Sequence, residues 1–573
     1  MTEAVLSNEM ENQRRRLIVI FVGLCCTAAI LVARLAYWQI LRHDEMTRLA
    51  DREHREVVTI APRRGNILDR RGYLLATNIN SFLVYAAPKE MGEPHFKAVA
   101  DQVAPLLGLN SKSVQDDFQS NKTRYYVLLK RRVAAKIVEQ VNALDLPGIH
   151  VQQEAMRVYP ADGLAEPLLG FANFDAQGAN GVEGAYNNQI RGSTGSLVFE
   201  RDTRGMEIAI GYRELKPAEN GANLNLTIDA AIQYAAEEQL RDAIASNGAT
   251  GGTILILQAK TGAILASAST PGYDPNKFNE VLDSSTFVNP AVSHSYEPGS
   301  IFKIITMAAG VDAGLVGPKT THNCVGSVVV DGQILRTSDN AAHGVETMTE
   351  VLAHSCNVGA VYVSTALGPD RFYKYVRDFG FGKLTGVDLQ GEVTGFLRLP
   401  GQPDWRRIDQ ATNAFGQSIS VTPLQMAAAV AAIANGGVYM KPYIVDRVEG
   451  ASTARTTVPT ALGRVVSAQT ARTISEMLAT AQEMATSPAL VKGYRIAGKT
   501  GTAQMVINGQ YDPRLTITSF VGFAPLEDPQ FVILIKIDKP QKSQWATDVA
   551  APVFRTMAQW LLQYLRIPPT APL

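Results

Sequence analysis

The chain has 573 residues, with 54 basic and 54 acidic side chains, so its formal net charge at neutral pH is zero. That balance argues against nucleic acid as the main partner, and an apolar share of 46% suits a globular chain better than a multi-span transporter. The length exceeds one ordinary domain and implies two or three. Residues 17–33 form an uncharged apolar run, extended past Arg34 by Leu35-Ala36-Tyr37-Trp38-Gln39-Ile40-Leu41. At about 1.5 Å per residue this stretch can cross a hydrocarbon core of roughly 30 Å. Arg14-Arg15-Arg16 favour a cytoplasmic N-terminus, with Arg42, Arg48 and Arg52 weighing against it from the far side. Tyr37 and Trp38 suit the far interface, where Arg34 can snorkel. Thr27-Ala28-Ala29 lead into more apolar sequence and not a polar mature start, so the segment reads as an anchor instead of a cleaved signal peptide.

The expected organisation is a cytoplasmic tail 1–16, a transmembrane anchor 17–41, a loop-rich domain 45–220 and a second domain 224–566. The loop-rich part is punctuated at Arg64-Gly65, Arg71-Gly72, Gly178, Gly181, Gly192 and Gly195. The second domain opens with Thr253-Ile254-Leu255-Ile256-Leu257 and Ala263-Ile264-Leu265-Ala266 around Lys260-Thr261-Gly262, a hairpin pattern. Strands are expected at 518–524 and 531–538, a short β-like run at Tyr494-Arg495-Ile496, and an amphipathic helix near 551–565. Of the 4 cysteines, Cys25 and Cys26 fill the span, while Cys324 and Cys356 face an oxidising space where they could pair; two cysteines make no disulfide framework.

Ser300 follows Pro298-Gly299, a helix-start signal, and 301–310 continues as an apolar helix. A serine at that point feels the positive end of the helix dipole, and Lys303, one turn on, shares its face. If burial or a second cation lowers its pKa, the amine can take the hydroxyl proton. A relay hydroxyl and an amide are supplied by a Ser-x-Asn pair, of which two exist. Ser338-Asp339-Asn340 sits in a polar stretch and reads as a surface loop; Ser355-Cys356-Asn357 follows a helical run at 349–354 and is placed in the site. Lys-Thr-Gly is also duplicated: Lys260 sits at a hairpin tip, as turn chemistry. Lys499 follows both other elements, where it could supply the second cation and hydrogen-bond Ser355. Thr500 and Thr502 could hold a substrate carboxylate, and the backbone N–H groups of Ser300 and Thr502 could form an oxyanion hole.

Lys499 also completes a formal phosphate-loop pattern at 493–500, with 531–538 as an apolar strand ending in an aspartate. Tyr494, Arg495 and Ile496 are strand-like and unsuited to a flexible cradle, and Gly501-Thr502 stand where a helix should begin. This nucleotide-binding reading is therefore set aside. The histidines are scattered, no metal-binding pattern is present, and His354 is expected to point away from the chemistry, so neither metal nor cofactor is expected.

Further blocks occur in a distinctive order: Arg64-Gly65-Asn66-Ile67-Leu68-Asp69-Arg70-Arg71-Gly72 with Leu75-Ala76; Gly181-Val182-Glu183-Gly184-Ala185-Tyr186; Tyr296-Glu297-Pro298-Gly299-Ser300; Thr422-Pro423-Leu424-Gln425; Lys499-Thr500-Gly501-Thr502-Ala503-Gln504. With them the chain resembles the class B penicillin-binding proteins, monofunctional peptidoglycan transpeptidases held by one N-terminal helix. The resemblance covers nearly everything past the anchor. It implies an α+β penicilloyl-serine transferase domain, a mostly antiparallel five-stranded sheet with helices on both faces, beside a β-containing pedestal of the dimerisation type. It assigns Ser300 as nucleophile, Lys303 as its base, Ser355 as relay, Asn357 as substrate ligand, and Lys499 with Thr500, Gly501 and Thr502 to the carboxylate and oxyanion. The first arginine-rich block is expected to be a turn with salt bridges. Glu297 and Asn357-Val358-Gly359 look like the cell-division members, whereas Cys356 is shared with elongation members.

The resemblance implies D-Ala-D-Ala stem peptides as substrate, β-lactams as acylating mimics, and an extracytoplasmic catalytic domain on a single-pass anchor in the bacterial inner membrane. It also implies a polytopic glycan polymerase and division-machinery proteins as partners. An elongation-type transpeptidase, a membrane-bound D,D-carboxypeptidase or β-lactamase, and a non-catalytic division scaffold are the alternatives.

Overall fold

In the computed structural model, which describes residues 2–161, 163–201, 208, 210–450, 454–507 and 509–572, the N-terminal apolar run is helical throughout. Helix α1, Thr2–Ala36, ends in a wider π turn, Tyr37–Leu41. The apolar part has a mean hydropathy of 2.5 and none of it is buried against protein. A helix apolar on every side has no protein partner to prefer, and its length suits a single-pass membrane anchor. Arg55–Ile60, Gly195–Glu200 and Arg213–Lys216 pair in that order as an antiparallel sheet. These elements belong to one compact unit, Met1–Pro62 with Ser193–Glu219.

The other unit, Arg63–Gly192 with Asn220–Leu573, holds the large core. Its elements used below are α2 (Ala230–Asn247), β1 (Gly251–Gln258), β2 (Ile264–Thr270), α3 (Lys303–Asp312), α4 (Met348–Ala353), α5 (Asn357–Leu367), α6 (Pro423–Ala434), α7 (Ala468–Met484), β3 (Ala497–Ile507), β4 (Gln510–Ala524), β5 (Phe531–Asp538) and α8 (Ala546–Tyr564). The five strands form one sheet in the order β2-β1-β5-β4-β3, and every neighbouring pair is antiparallel. Successive residues of a strand face opposite sides. Ile533, Ile535 and Ile537 accordingly join a core with Leu240 of α2 and Phe554 of α8, while Val532 and Leu534 join the core that contains Ile304 of α3, Met426 of α6 and Ile474 of α7. Burial on both faces explains why 531–538 reads as an almost unbroken apolar run. Strand β3 is left at an edge of this sheet.

The hairpin at Lys260-Thr261-Gly262 is turn chemistry, as expected: Gly262 N–H donates to Gln258 O at 3.0 Å and Thr261 Oγ1 to Gln258 Oε1 at 2.8 Å, while Lys260 pairs with Asp528 at 2.6 Å. Two boundaries differ from expectation. Tyr494-Arg495-Ile496 is turn and irregular chain, because the strand partner β4 meets the chain only from Ala497. The last helix begins at Ala546, ahead of 551.

The arginine-rich block is structural. Asp69 Oδ1 accepts from the N–H groups of Arg71 and Tyr73, closing the turn, and its Oδ2 accepts from Ala230 N–H at the start of α2. Arg64 reaches Glu183, whose second oxygen takes Arg157 Nε at 2.7 Å. Tyr186 of the same glutamate-containing block donates to Asp388 Oδ2 at 2.6 Å.

Candidate active site

Ser300 lies in a single 3₁₀ turn, Gly299–Phe302, that runs directly into α3. Ile301, Phe302, Ile304, Ile305, Met307 and Ala308 are all buried, so the helix is held from every side and carries Lys303 into the interior. Thr306 Oγ1 donates to Ala414 O at 2.8 Å and pins the helix to the loop that follows the short helix Arg407–Asn413. That loop contains Gly416, whose carbonyl accepts from Gly299 N–H at 3.0 Å. A Cβ at Gly416 would stand 2.1 Å from Gly299 O, on a backbone with φ of +82°, so only glycine permits this approach. Nothing in the sequence around Phe415-Gly416-Gln417 marks that role.

Helix α4 starts with a capping box between Thr347 and Glu350 and stops before Ser355. Ser355 has φ of +56°, the left-handed region that a non-glycine residue adopts at a cost of roughly 1–3 kcal/mol. The surrounding contacts hold it there: Ser355 O accepts from Lys303 Nζ at 2.5 Å and Ser355 N–H donates to Leu352 O. The chain then turns into α5, whose first residue is Asn357 and whose N-cap is Cys356, its Sγ accepting from Gly359 N–H.

Lys303 gathers these pieces. Its Nζ lies 2.9 Å from Ser300 Oγ, 3.2 Å from Ser355 Oγ and 2.8 Å from Asn357 Oδ1. The residue is 1% exposed. Burial, followed by the charge of Lys499, pushes its ammonium well below the ordinary lysine range. Burial alone pushes Lys499 down to about 7.

On β3 the period of two is visible: Lys499, Gly501 and Ala503 are buried, Thr500 and Thr502 half-buried. Lys499 Nζ donates to Thr500 O at 3.2 Å and Thr500 Oγ1 at 3.3 Å, and not to Ser355 as expected; the lysine that meets the Ser355 hydroxyl is Lys303. Thr502 Oγ1 accepts from Ala546 N–H at 3.2 Å, which leaves its own proton free for a carboxylate. Gly501 lets the strand press on the turn that carries Ser300: a Cβ there would lie 2.8 Å from Pro298 O and 2.9 Å from Ile301 Cγ2. We expect Gly501→Ala to lower stability by about 1–3 kcal/mol through overpacking and to slow Ser300 acylation with it; thermal unfolding and labelled-penicillin kinetics check both.

Ser300, Asn357 and Thr502 line one cleft of about 340 Å³ with Arg336, Phe415 and Trp545. The polar 336–344 stretch reads as a surface loop apart from the site, yet Ser338 and Asn340 line the same cleft. Asn357 Nδ2 donates to Arg336 O at 2.8 Å, which draws the loop over the pocket. Ser355 and Asn357, and not Ser338 and Asn340, bond Lys303. His354 pairs instead with Glu346, at 3.1 Å. The phosphate-loop reading has no structural counterpart, since Lys499 is a buried strand residue followed by more strand and not by a helix.

Comparison with known proteins identifies the family. Residues 252–559 match the penicillin binding protein transpeptidase domain, and residues 59–226 match the penicillin-binding protein dimerisation domain. The chain is 35% identical to stage V sporulation protein D of Bacillus subtilis over 564 residues, covering 97% of this chain and 86% of that one. It is 30% identical to the peptidoglycan D,D-transpeptidase FtsI of Escherichia coli over 556 residues, covering 95% of this chain and 90% of that one. Penicillin-binding protein 3 of Mycobacterium tuberculosis, solved with aztreonam, superposes with a TM-score of 0.70 at 29% identity, covering 90% of this chain and 99% of that one. The chain belongs to the class B penicillin-binding proteins and carries their serine transpeptidase domain.

Proposed function

We propose that this protein is a peptidoglycan D,D-transpeptidase of the cell-division type, acting through an acyl-serine intermediate. The observation that carries the proposal is the contact of a buried, readily deprotonated Lys303 with Ser300, Ser355 and Asn357 at once. The neutral amine accepts the Ser300 proton as Oγ attacks the carbonyl of the penultimate D-Ala. Backbone N–H groups of Ser300 and Thr502 take the developing oxyanion. Collapse breaks the peptide bond, and Lys303 returns the proton through Ser355 to the departing D-Ala amine. An amine of a neighbouring strand then attacks the ester, forms the cross-link and frees Ser300. Asn357 holds the peptide; Lys499, Thr500 and Thr502 hold its terminal carboxylate, with Gly501 making room for the strand.

The domains we assign are a tail 1–16, anchor 17–41, pedestal 45–220 and transpeptidase domain 224–566. The triple arginine before the anchor supports an extracytoplasmic catalytic domain on the inner membrane. A polytopic membrane glycan polymerase and division proteins are the partners this arrangement calls for. β-Lactams acylate the same serine as mimics of D-Ala-D-Ala.

Labelling of wild type and Ser300→Ala with a fluorescent penicillin, followed by mass spectrometry, should place one slowly released adduct on Ser300 and none in the variant. Rapid hydrolysis of that adduct would instead identify a β-lactamase or carboxypeptidase. In cells, depletion is expected to give filaments. Rounded cells would assign the enzyme to elongation, and division rescued by Ser300→Ala would leave only a scaffold.

A further inference from the structure

Behind the Ser355–Asn357 segment lies a second constellation that the chemistry above does not use. Ligand atoms of Cys324, His343, Glu346 and Cys356 all lie within 4.8 Å of one another. We propose that these four residues form a closed, structural zinc site that clamps the Ser355–Asn357 segment to the wall of the catalytic cleft.

The donors come from three places. Cys324 ends the strand Thr321–Cys324, which pairs with Gly344–Thr347, the strand that holds Glu346; the partner of Cys324 in that register is Gly344, next to His343. Cys356 caps α5. A two-stranded ribbon of this size is marginal without support. Cys324 and Cys356 are free thiols with Sγ atoms 3.1 Å apart. Around a tetrahedral zinc, with bonds of roughly 2.0–2.3 Å, neighbouring ligand atoms are roughly 3.3–3.8 Å apart, so the group closes on an ion with small side-chain movements.

Two further observations point inward. Glu346 is 1% exposed; its Oε2 lies 3.1 Å from His354 Nδ1 and 3.5 Å from His343 Nδ1, too long for a hydrogen bond to His343, while its Oε1 has no hydrogen-bond partner among the described residues. A buried carboxylate oxygen left bare is costly unless a cation takes it. On the other side of the ring, His343 Nε2 lies 3.0 Å from Asp339 Oδ2. That carboxylate orients the imidazole so that Nδ1 faces Glu346, and it is the kind of outer partner typical of a metal-bound histidine. Two sulfurs, one nitrogen and one oxygen suit zinc and not calcium or magnesium, which take oxygen donors. Binding releases the two thiol protons.

The site would not enter the reaction. Cys356 stands between Ser355 and Asn357, whose side chains bond Lys303 while its own sulfur meets Cys324. Asp339 belongs to the loop whose neighbours Ser338 and Asn340 line the cleft. The ion would therefore fix the relay residue and the cleft wall together. The proposal departs from the sequence-based expectation of no metal, which rests on scattered histidines.

The test is the metal content of the full-length chain, solubilised in detergent, purified under reductant without chelator, exposed to zinc and washed. About one zinc per chain, with all 4 cysteines titrating as thiols after denaturation, is expected. Cys324→Ser and His343→Ala should lose the ion, and Asp339→Asn should bind it about 10–100-fold more weakly. Should those variants fail to fold, cobalt substitution of wild type must show thiolate charge transfer and tetrahedral d–d bands. Stripping zinc should slow penicillin labelling reversibly. Absence of zinc, or a Cys324–Cys356 disulfide in its place, overturns the proposal; because the readout is metal, it stands or falls independently of the transpeptidase reading.

Discussion

Lys303→Met is expected to be acylated by a labelled penicillin about 10²–10⁴-fold more slowly than wild type, the usual worth of a positioned general base. In the proposed mechanism the amine works only when neutral, so the wild-type rate should first rise with pH through the depressed pKa of Lys303. In the proposed mechanism Lys499 acts in the opposite sense, because its ammonium would attract the carboxylate of the incoming substrate and burial pushes its pKa down to about 7. The apparent second-order acylation rate should therefore be bell-shaped, with an acid limb from Lys303 and a basic limb near 7 from Lys499. The two limbs are coupled. After burial, the charge of Lys499 does most to hold Lys303 down. Lys499→Met should abolish the basic limb, weaken binding, and move the acid limb to higher pH because Lys303 then keeps its proton longer. An acid limb that stays in place in Lys499→Met, or a Lys303→Met enzyme that reacts at the wild-type rate, refutes these roles.

Parts of this site could be read from the chain because they are local. Ser300 and Lys303 are one helical turn apart, and any helix through 301–310 puts them on one face. The run 531–538 announced a doubly covered strand by composition alone. Other parts depend on distant partners. Tyr494 and Ile496 have strand propensity, yet no strand lies opposite them, and the pairing with β4 begins only at Ala497. Ser338 and Asn340 read as surface because their stretch is polar; what brings them to the cleft is Asn357 Nδ2 holding Arg336 O, a contact over 21 positions. Gly416 matters only because Gly299 folds onto it. The Cys324–His343–Glu346–Cys356 group has no spacing pattern, since its members converge from a ribbon and a helix cap. Chemistry built within one element is legible from residue types; chemistry built between elements waits for the fold.

Glu183→Ala is expected to lower the free energy of unfolding by about 3–5 kcal/mol, the cost of breaking a buried ion network by removing one partner. Glu183 is fully buried, with Arg64 Nη2 at 2.5 Å, Arg157 Nε at 2.7 Å and the Tyr159 hydroxyl at 3.2 Å. Burial alone would raise its pKa, but the two guanidiniums prevail and hold the carboxyl below its usual range. Truncation would leave both cations facing each other in the interior. Their remaining bonds, Arg64 Nη1 to Ala176 O at 2.9 Å and to Asn187 Oδ1 at 2.8 Å, Arg64 Nη2 to Glu183 O at 3.2 Å and Arg157 Nη1 to Gly65 O at 2.8 Å, compensate no charge, and both Nε–H groups lose their acceptor. A depressed folded pKa contributes stability that is full above the unfolded value of about 4.3 and is lost as pH falls through the folded value. Urea midpoints of wild type should therefore decline on acidification in that window, and those of Glu183→Ala should decline less. The triple change Arg64→Met, Arg157→Met, Glu183→Leu removes every charge together and should be more stable than Glu183→Ala, because no ion is left uncompensated. If the triple variant is the less stable, the network contributes through its hydrogen bonds and not through balanced charge. If Glu183→Ala unfolds at the wild-type midpoint, the block Gly181-Val182-Glu183-Gly184-Ala185-Tyr186 does not hold this region together.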